Sequence, residues 1–324
     1  MHSFEDIVEL TDKAISGLSL PGEPARLYEP IRYTLESGGK RIRPLLALGC
    51  CALFSDDLEQ ALPVAVGIEV FHNFTLLHDD IMDNSSLRRG RETVHVKWNE
   101  NTAILSGDAM LIYAYELALN SAPDKLARIV PTLNRIFMGV CEGQQHDMDF
   151  ETRPDVTTDE YLAMTGLKTA VLIAGAMRVG AVIGGADEET VEQLYRAGML
   201  LGTAFQLQDD LLDTYGEPTK WGKNLGDDIA DNKKTFLLIR ALEVAQEEDR
   251  KQLLDLMVSA GISREEKIGA VKAVYAKTGV KEQAEALVDD YFARANAIID
   301  AVPVEDTRKQ PLREMAKALV GREK

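Results

Sequence analysis

The sequence predicts an all-α protein. Three observations carry that expectation. Apolar residues recur at three- and four-residue intervals rather than in alternation. Proline is absent between Pro63 and Pro123, between Pro154 and Pro218, and between Pro218 and Pro303, so long helices can run unbroken there. Several stretches are also apolar around most of their circumference, which suits helices in the middle of a bundle. The first of these is residues 67–83, GIEVFHNFTLLHDDIMD. The second, residues 170–185, AVLIAGAMRVGAVIGG, is interrupted by Arg178, which argues against a membrane span. The third is residues 188–213, EETVEQLYRAGMLLGTAFQLQDDLLD. Residues 214–234 then form an irregular stretch rich in Gly, Asp and Lys, containing Pro218, and a loop of that length is expected to be functional. Amphipathic helices follow from Arg240 onward, without internal repeats or low-complexity segments.

Charge and length limit what such a protein does. The 324 residues fit one large helical domain or two. Against 36 basic residues stand 53 acidic ones, a net charge of −17, which excludes nucleic acid or an anionic membrane as a bulk electrostatic partner. Any anion must be held locally. Three cysteines, Cys50, Cys51 and Cys141, show no paired spacing and read as reduced core thiols rather than a disulfide framework. Met110, Met138 and Met177 likewise read as core residues. The first residues, MHSFEDIVELTDK, are acidic and amphipathic rather than signal-like, so a cytoplasmic location is expected.

Two acidic motifs carry the chemistry. Asp79, Asp80 and Asp83 in HDDIMD share their spacing with Asp209, Asp210 and Asp213 in QDDLLD, and each set ends a long apolar helix. Residues i and i+4 share a helix face, so each motif aims two carboxylates in one direction, where they repel. A single such motif is readily a solvated face in an acidic protein. A matched pair, each after strongly apolar sequence, calls for a cation between them. Oxygen ligands without His or Cys favour a hard ion, and magnesium combines a few carboxylates with water and phosphate oxygens. That implies a diphosphate substrate, with Arg88, Arg89, Lys168, Lys223 and Lys233 available for its remaining oxygens. Upstream, ESGGKRIRP places Gly38 and Gly39 before Lys40, Arg41 and Arg43, a compact anion site that needs no metal. A second diphosphate is the natural occupant.

With GGKRIRP, HNFTLLHDDIMD followed by LRRG, TVH, NTAILSGDAML, the LKTA stretch, FQLQDDLLD and GKNLGDDIADNKKT in this order, the chain resembles the trans-isoprenyl diphosphate synthases, or polyprenyl synthetases, over about residues 36–236. The resemblance implies a single domain over residues 1–324, a bundle of mostly antiparallel helices around a central cavity, and a homodimer. It implies magnesium, three ions per active site, with Asp79, Asp83 and Asp209 as direct ligands. Asp80, Asp210 and Asp213 would be additional or water-mediated ligands, and Asp228 an outer partner. Arg88, Lys168, Lys223 and Lys233 would hold the allylic diphosphate, and Lys40, Arg43, His72 and Arg89 isopentenyl diphosphate. Arg41 is typical of the family without a clear role. Lys168, Thr169, Gln206 and Lys223 would assist ionisation, and Phe205 resembles the aromatic preceding that glutamine. His78 receives no role.

The implied reaction joins isopentenyl diphosphate to dimethylallyl, geranyl or farnesyl diphosphate with trans geometry, with no nucleic-acid partner and no stable membrane insertion. Residues 214–234 would close over the diphosphate. Phe71, Phe74 and Thr75 would set chain length, and an aromatic at position 74 with DDIMD lacking an insertion favours geranylgeranyl over farnesyl diphosphate. Terpene cyclases need no GGKRIRP and usually mix other residues into their second motif. A non-catalytic partner subunit would not need both intact acidic motifs.

Overall fold

The computed structural model describes residues 2–216, 225–259 and 261–320. The all-α expectation holds, because the only strands among these residues are the two-residue partners of one hairpin. The chain's contacts fall into two compact units. One comprises everything up to Arg135 with Leu172–Tyr195 and Ile298–Ala316; the other comprises Ile136–Val171, Arg196–Ala297 and the residues after Ala316.

The first unit begins with α1 (Phe4–Ser16), whose start is a capping box between Ser3 and Asp6. Then come α2 (Ala25–Leu35), α3 (Ile42–Ala52) and α4 (Leu62–Met82). The hairpin of β1 (Leu87–Arg88) and β2 (Arg91–Glu92) follows, with α5 (Val94–Lys97), α6 (Glu100–Ala118) and the first turns of α7 (Leu126–Thr152). In α3 every residue except Arg43 is buried, as expected for a central helix. Close helix approach comes from small residues. A Cβ at Gly67 of α4 would lie 2.6 Å from the Ala114 carbonyl oxygen of α6, and one at Gly107 of α6 would overlap the His78 ring of α4.

The second unit takes the remainder of α7, α8 (Thr158–Thr165) and a π-helical turn over Gly166–Ala170. The chain then returns to the first unit for α9 (Val171–Gly184) and the start of α10 (Glu188–Tyr215); from Arg196 the second unit holds the rest of α10, α11 (Asp227–Ala230), α12 (Phe236–Val244), α13 (Glu247–Val258), α14 (Arg264–Thr278) and most of α15 (Val280–Ala301), and α16 (Asp306–Val320) up to Ala316 belongs again to the first. Thr158–Gly184 is long and apolar enough to cross a membrane, but 78% of its most apolar window is buried within the protein. Arg178 in it pairs with Glu192 at 2.8 Å. It is a core helix.

Two expectations need correction. Met110 and Met177 are fully buried, but Met138 is 60% exposed. Cys50 and Cys51 are buried, whereas Cys141 is exposed. Both misplaced residues lie on α7, whose outward face carries apolar side chains that periodicity alone assigns to a core.

Gly67→Ala is expected to cost about 1–3 kcal/mol, because the added methyl meets backbone rather than a flexible side chain. Gly269→Ala, where nothing lies within 4 Å of the added Cβ, is expected to be neutral or stabilising by about 0.5–1 kcal/mol. Thermal unfolding of the two variants checks the contrast.

Candidate active site

In the first unit the site begins at the end of α4. That helix has no basic residue in its last turn, and Asp83 is its C-cap, so its carboxylates lie at the end where the helix field is negative. Asp79 is half-buried and Asp83 exposed. Asp80 points elsewhere. It is only 5% exposed and receives the Arg88 Nε at 2.6 Å. Burial pushes its carboxyl up to about 6, with Arg88 opposing and with Asp79 and Asp83 adding repulsion.

Arg88 is positioned by the hairpin. Its register pairs Leu87 with Glu92 and Arg88 with Arg91, which leaves Arg89 and Gly90 as a two-residue turn. Both have positive φ, 53° and 74°, as a type I′ turn requires. Glycine suits such a position and arginine is strained in it. The strain is supported by the side chain, which donates to the Gly38 carbonyl and to Ser37 Oγ. Tyr33 of α2 holds the second strand: its hydroxyl donates to the Glu92 carbonyl at 2.8 Å, and Arg91 and Lys97 lie 3.9 and 3.8 Å from its ring centre.

The other wall of this half-site is the start of α3. Gly38 and Gly39 have φ of 77° and 138°, and Arg41, the N-cap, is left-handed at 49°. No side chain caps this end of α3, so its N-terminal field faces Lys40, Arg41 and Arg43. Arg41 pairs with Asp12 at 2.6 Å. Arg43 has a buried Nε without a hydrogen-bond partner; burial lowers its pKa to about 10, with Glu69 opposing. Glu69 is 4% exposed and accepts from Asn73 Nδ2 at 3.2 Å. Burial raises its carboxyl, with Arg43 and Arg89 opposing. Burial, then Arg43, Arg89 and Arg88, hold His72 well below the usual imidazole range.

Among the residues expected to set chain length, Phe71 is 1% and Phe74 9% exposed. The Phe74 ring lies 5.4 Å from Phe71 and 4.7 Å from His78. Thr75 Oγ1 donates to the His72 carbonyl. His78 Nε2 is 3.1 Å from the Ile104 carbonyl oxygen, a structural task the sequence does not announce.

In the second unit the acidic motif occupies the last turns of α10, which also lack a basic residue. Asp209 is half-buried; Asp210 and Asp213 are buried. Asp210 accepts from the Tyr161 hydroxyl at 2.6 Å, the Phe236 amide at 3.1 Å and Gln206 Nε2 at 3.2 Å. Gln206 in turn accepts from Thr169 Oγ1 at 3.1 Å. Asp213 accepts from the Asp228 amide at 3.1 Å, and Asp228 Oδ1 lies 3.8 Å from Lys233 Nζ. Lys168 and Thr169 sit on the π turn, a feature that recurs at functional sites. Lys168 pairs with Asp147 of α7 at 2.6 Å. Gly143 of α7 permits this, because a Cβ there would overlap the Lys168 backbone. Phe205 is half-buried. Lys223 lies outside the described residues.

The donor sets fit a hard cation held by few protein ligands. Asp79 with Asp83, and Asp209, offer only oxygen, while Asp80, Asp210 and Asp213 are engaged by Arg88, Tyr161 and backbone amides. Among the described residues no three acidic, His or Cys side chains form a ready-made cage. Magnesium suits this, since water and phosphate oxygens complete its octahedron. Sequence reasoning missed Tyr33, Glu69, Asp147 and Tyr161. Only Glu69 left a signal, as the one acid in the otherwise apolar first turns of α4, residues 62–71.

Burial, with Asp228 adding repulsion, raises the Asp210 carboxyl to about 7, against roughly 3.9 in an unfolded chain. The stability this group contributes is therefore full below about pH 4 and is lost as pH rises through about 7. Asp210→Asn keeps an acceptor and removes the charge. In metal-free protein it is expected to match wild type at pH 4 and exceed it by roughly 1–3 kcal/mol at pH 8, as read by urea unfolding at both values.

The polyprenyl synthetase family model matches residues 24–278. The chain is 36% identical to a geranylgeranyl diphosphate synthase of Methanosarcina mazei, covering 96% of this chain and 94% of that one. It is 37% identical to a geranylfarnesyl diphosphate synthase of Natronomonas pharaonis, covering 97% and 95%. Its fold matches a crystal structure of a geranylgeranyl pyrophosphate synthase with a TM-score of 0.94 at 40% identity, over the whole of both chains. With two acidic motifs at helix ends, these matches show that the chain belongs to the polyprenyl synthetase family and is a prenyltransferase of the all-α isoprenoid synthase fold.

Proposed function

We propose that this enzyme makes geranylgeranyl diphosphate by magnesium-dependent head-to-tail condensation of isopentenyl diphosphate with allylic diphosphates. The observation that carries the reading is the β1–β2 hairpin. Its two adjacent arginines serve different anion sites: Arg88 turns to Asp80 beside the carboxylates of α4, and Arg89 turns to Gly38 in the metal-free basic loop. One diphosphate held through metal and another held by cations alone is what a two-substrate condensation needs. The relatives of matching length carry names of the same chemistry.

Magnesium, taken as three ions, would neutralise the leaving diphosphate when bound. Asp79, Asp83 and Asp209 would hold it. Arg88, Lys168, Lys223 and Lys233 bind the allylic diphosphate and stabilise charge as its C–O bond breaks. Lys40, Arg43, His72 and Arg89 hold isopentenyl diphosphate. The isopentenyl double bond attacks the allylic cation, forming the new C–C bond. The released pyrophosphate takes the proton lost from the resulting tertiary cation. Thr169 and Gln206, fixed through Asp210 and Tyr161, offer oriented dipoles rather than a nucleophile.

The reading includes a cytoplasmic homodimer. Supporting the second copy, α6 and its C-cap residue expose Leu105, Ile112 and Leu119 at seven-residue intervals, 59%, 69% and 52% accessible, a stripe suited to helix pairing.

Asp79→Ala and Asp209→Ala are each expected to lower turnover at least about 10³-fold, and EDTA is expected to abolish it. Steady-state assays with isopentenyl and farnesyl diphosphates check this, and full activity in either variant refutes the metal assignment. Product length has its own test. Phe74→Ala is expected to shift the product beyond the twenty-carbon chain, read by chromatography after dephosphorylation. A twenty-five-carbon main product in wild type would instead favour the geranylfarnesyl reading that the Natronomonas relative supports.

A further inference from the structure

The helix α14 carries cations on its buried side, which burial alone does not favour. It is a well-formed helix, started by a capping box between Ser263 and Glu266 and ended by left-handed Gly279. Arg264, Lys267, Val271 and Tyr275 recur at helical spacing on one face, and Val271 and Tyr275 are core residues. Lys267 is only 8% exposed, and its Nζ donates to the Ala230 carbonyl at 2.8 Å. Arg264 donates to the Leu225 carbonyl at 3.2 Å and pairs with Asp227 at 2.5 Å. Next to Lys267, Ile268 packs on left-handed Gly226, where an added Cβ would lie 2.8 Å from the Ile268 Cδ1. One turn on, Lys272 donates to the Thr214 carbonyl at 3.0 Å and lies 5.0 Å from the Tyr215 ring centre.

Every backbone group that α14 grips belongs to the chain running into or out of the active-site segment. Asp228 sits inside the gripped turn of α11, and its amide is held by Asp213. The Lys233 amide donates to the Asp228 carbonyl at 2.9 Å, so Lys233 is carried by the same short scaffold. The four-residue α11 is too short to be stable alone.

We propose that α14 is a clasp that fixes Asp228 and Lys233 for diphosphate binding, with Lys267 and Arg264 as its positioning residues. This rests on the proposed function for the identity of the ligand and gives the C-terminal third of the chain a task in the reaction. Lys267 holds the last carbonyl of α11, Arg264 holds the turn before it, and neither touches substrate. The clasp acts on the allylic side and leaves the basic loop of the first unit untouched.

The test uses full-length Lys267→Met, Lys267→Arg and Arg264→Met. Hydrogen exchange without metal or substrate is expected to speed up about tenfold over residues 225–236 in both methionine variants, with α3 and α4 unchanged. With isopentenyl and farnesyl diphosphates, KM for the allylic substrate is expected to rise at least about fivefold while KM for isopentenyl diphosphate stays within about twofold. Lys267→Arg is expected to restore most of both. Unchanged exchange and unchanged allylic KM overturn the proposal, as does a uniform rise in exchange across the chain in Arg264→Met, whose side chain is 37% exposed. If Lys267→Met fails to fold, Arg264→Met decides alone. A wild type that forms no prenyl product while the exchange responds refutes the function and leaves the clasp standing; normal turnover with unchanged exchange does the reverse.

Discussion

Carboxylates at the C-terminal end of a helix are opposed by the helix field and, at i and i+4, by each other. Both acidic motifs accept that penalty, and neither helix offers a basic residue in its last turn to relieve it. Relief must come from elsewhere, and the surrounding structure is organised to supply it. Arg88 reaches back eight positions to pair with Asp80. For it to do so the chain must reverse within a two-residue turn, which strains Arg89 and brings it to the Gly38 carbonyl. The geometry of the basic loop thus follows in part from the charge on α4.

Six aspartates of matching spacing are not six equivalent carboxylates. Asp210 and Asp213 face inward and receive backbone amides, at Phe236 and Asp228, from chain that follows α10. They serve as struts. Asp209, between core and solvent, retains the outward role. On α4 the first two positions divide likewise, with Asp80 inside and Asp79 half-buried, but Asp83 is exposed where Asp213 is buried. A buried carboxylate held by protein donors keeps its neighbour's direction fixed, so the outward acid meets its ligand already oriented.

The long helices were legible because their apolar period exceeds any competing signal, and the two motifs because they recur. Helix ends were less so: Pro131 lies inside α7 rather than before it, since proline spacing marks where helices can run, not where they stop. Met138 and Cys141 were misread because an apolar stripe facing outward has the same period as one facing a core. The long-range partners around the candidate site were invisible for another reason. Tyr161 lies 49 positions from Asp210, and Tyr33 lies 59 from Glu92, so only tertiary structure joins them. Glu69 was the exception, a charge whose company is otherwise apolar.

Backbone strain marks the same places. Among the described residues four non-glycine positions have positive φ: Arg41, Asn84, Arg89 and Asn232. Arg41 begins the basic loop's helix, Asn84 follows the first acidic motif, Arg89 forms the hairpin turn, and Asn232 precedes Lys233. Each such conformation costs on the order of 1 kcal/mol or more and persists only where surrounding contacts over-determine it. For three of the four those contacts are identifiable: Asp12 for Arg41, Gly38 for Arg89, and the tight turn that α14 grips for Asn232. A protein that only needed to pack helices would have glycine at such positions. Arginine there puts a cation, at the cost of strain, where a relaxed backbone would not place one, which is what binding two diphosphates by a strongly acidic protein demands.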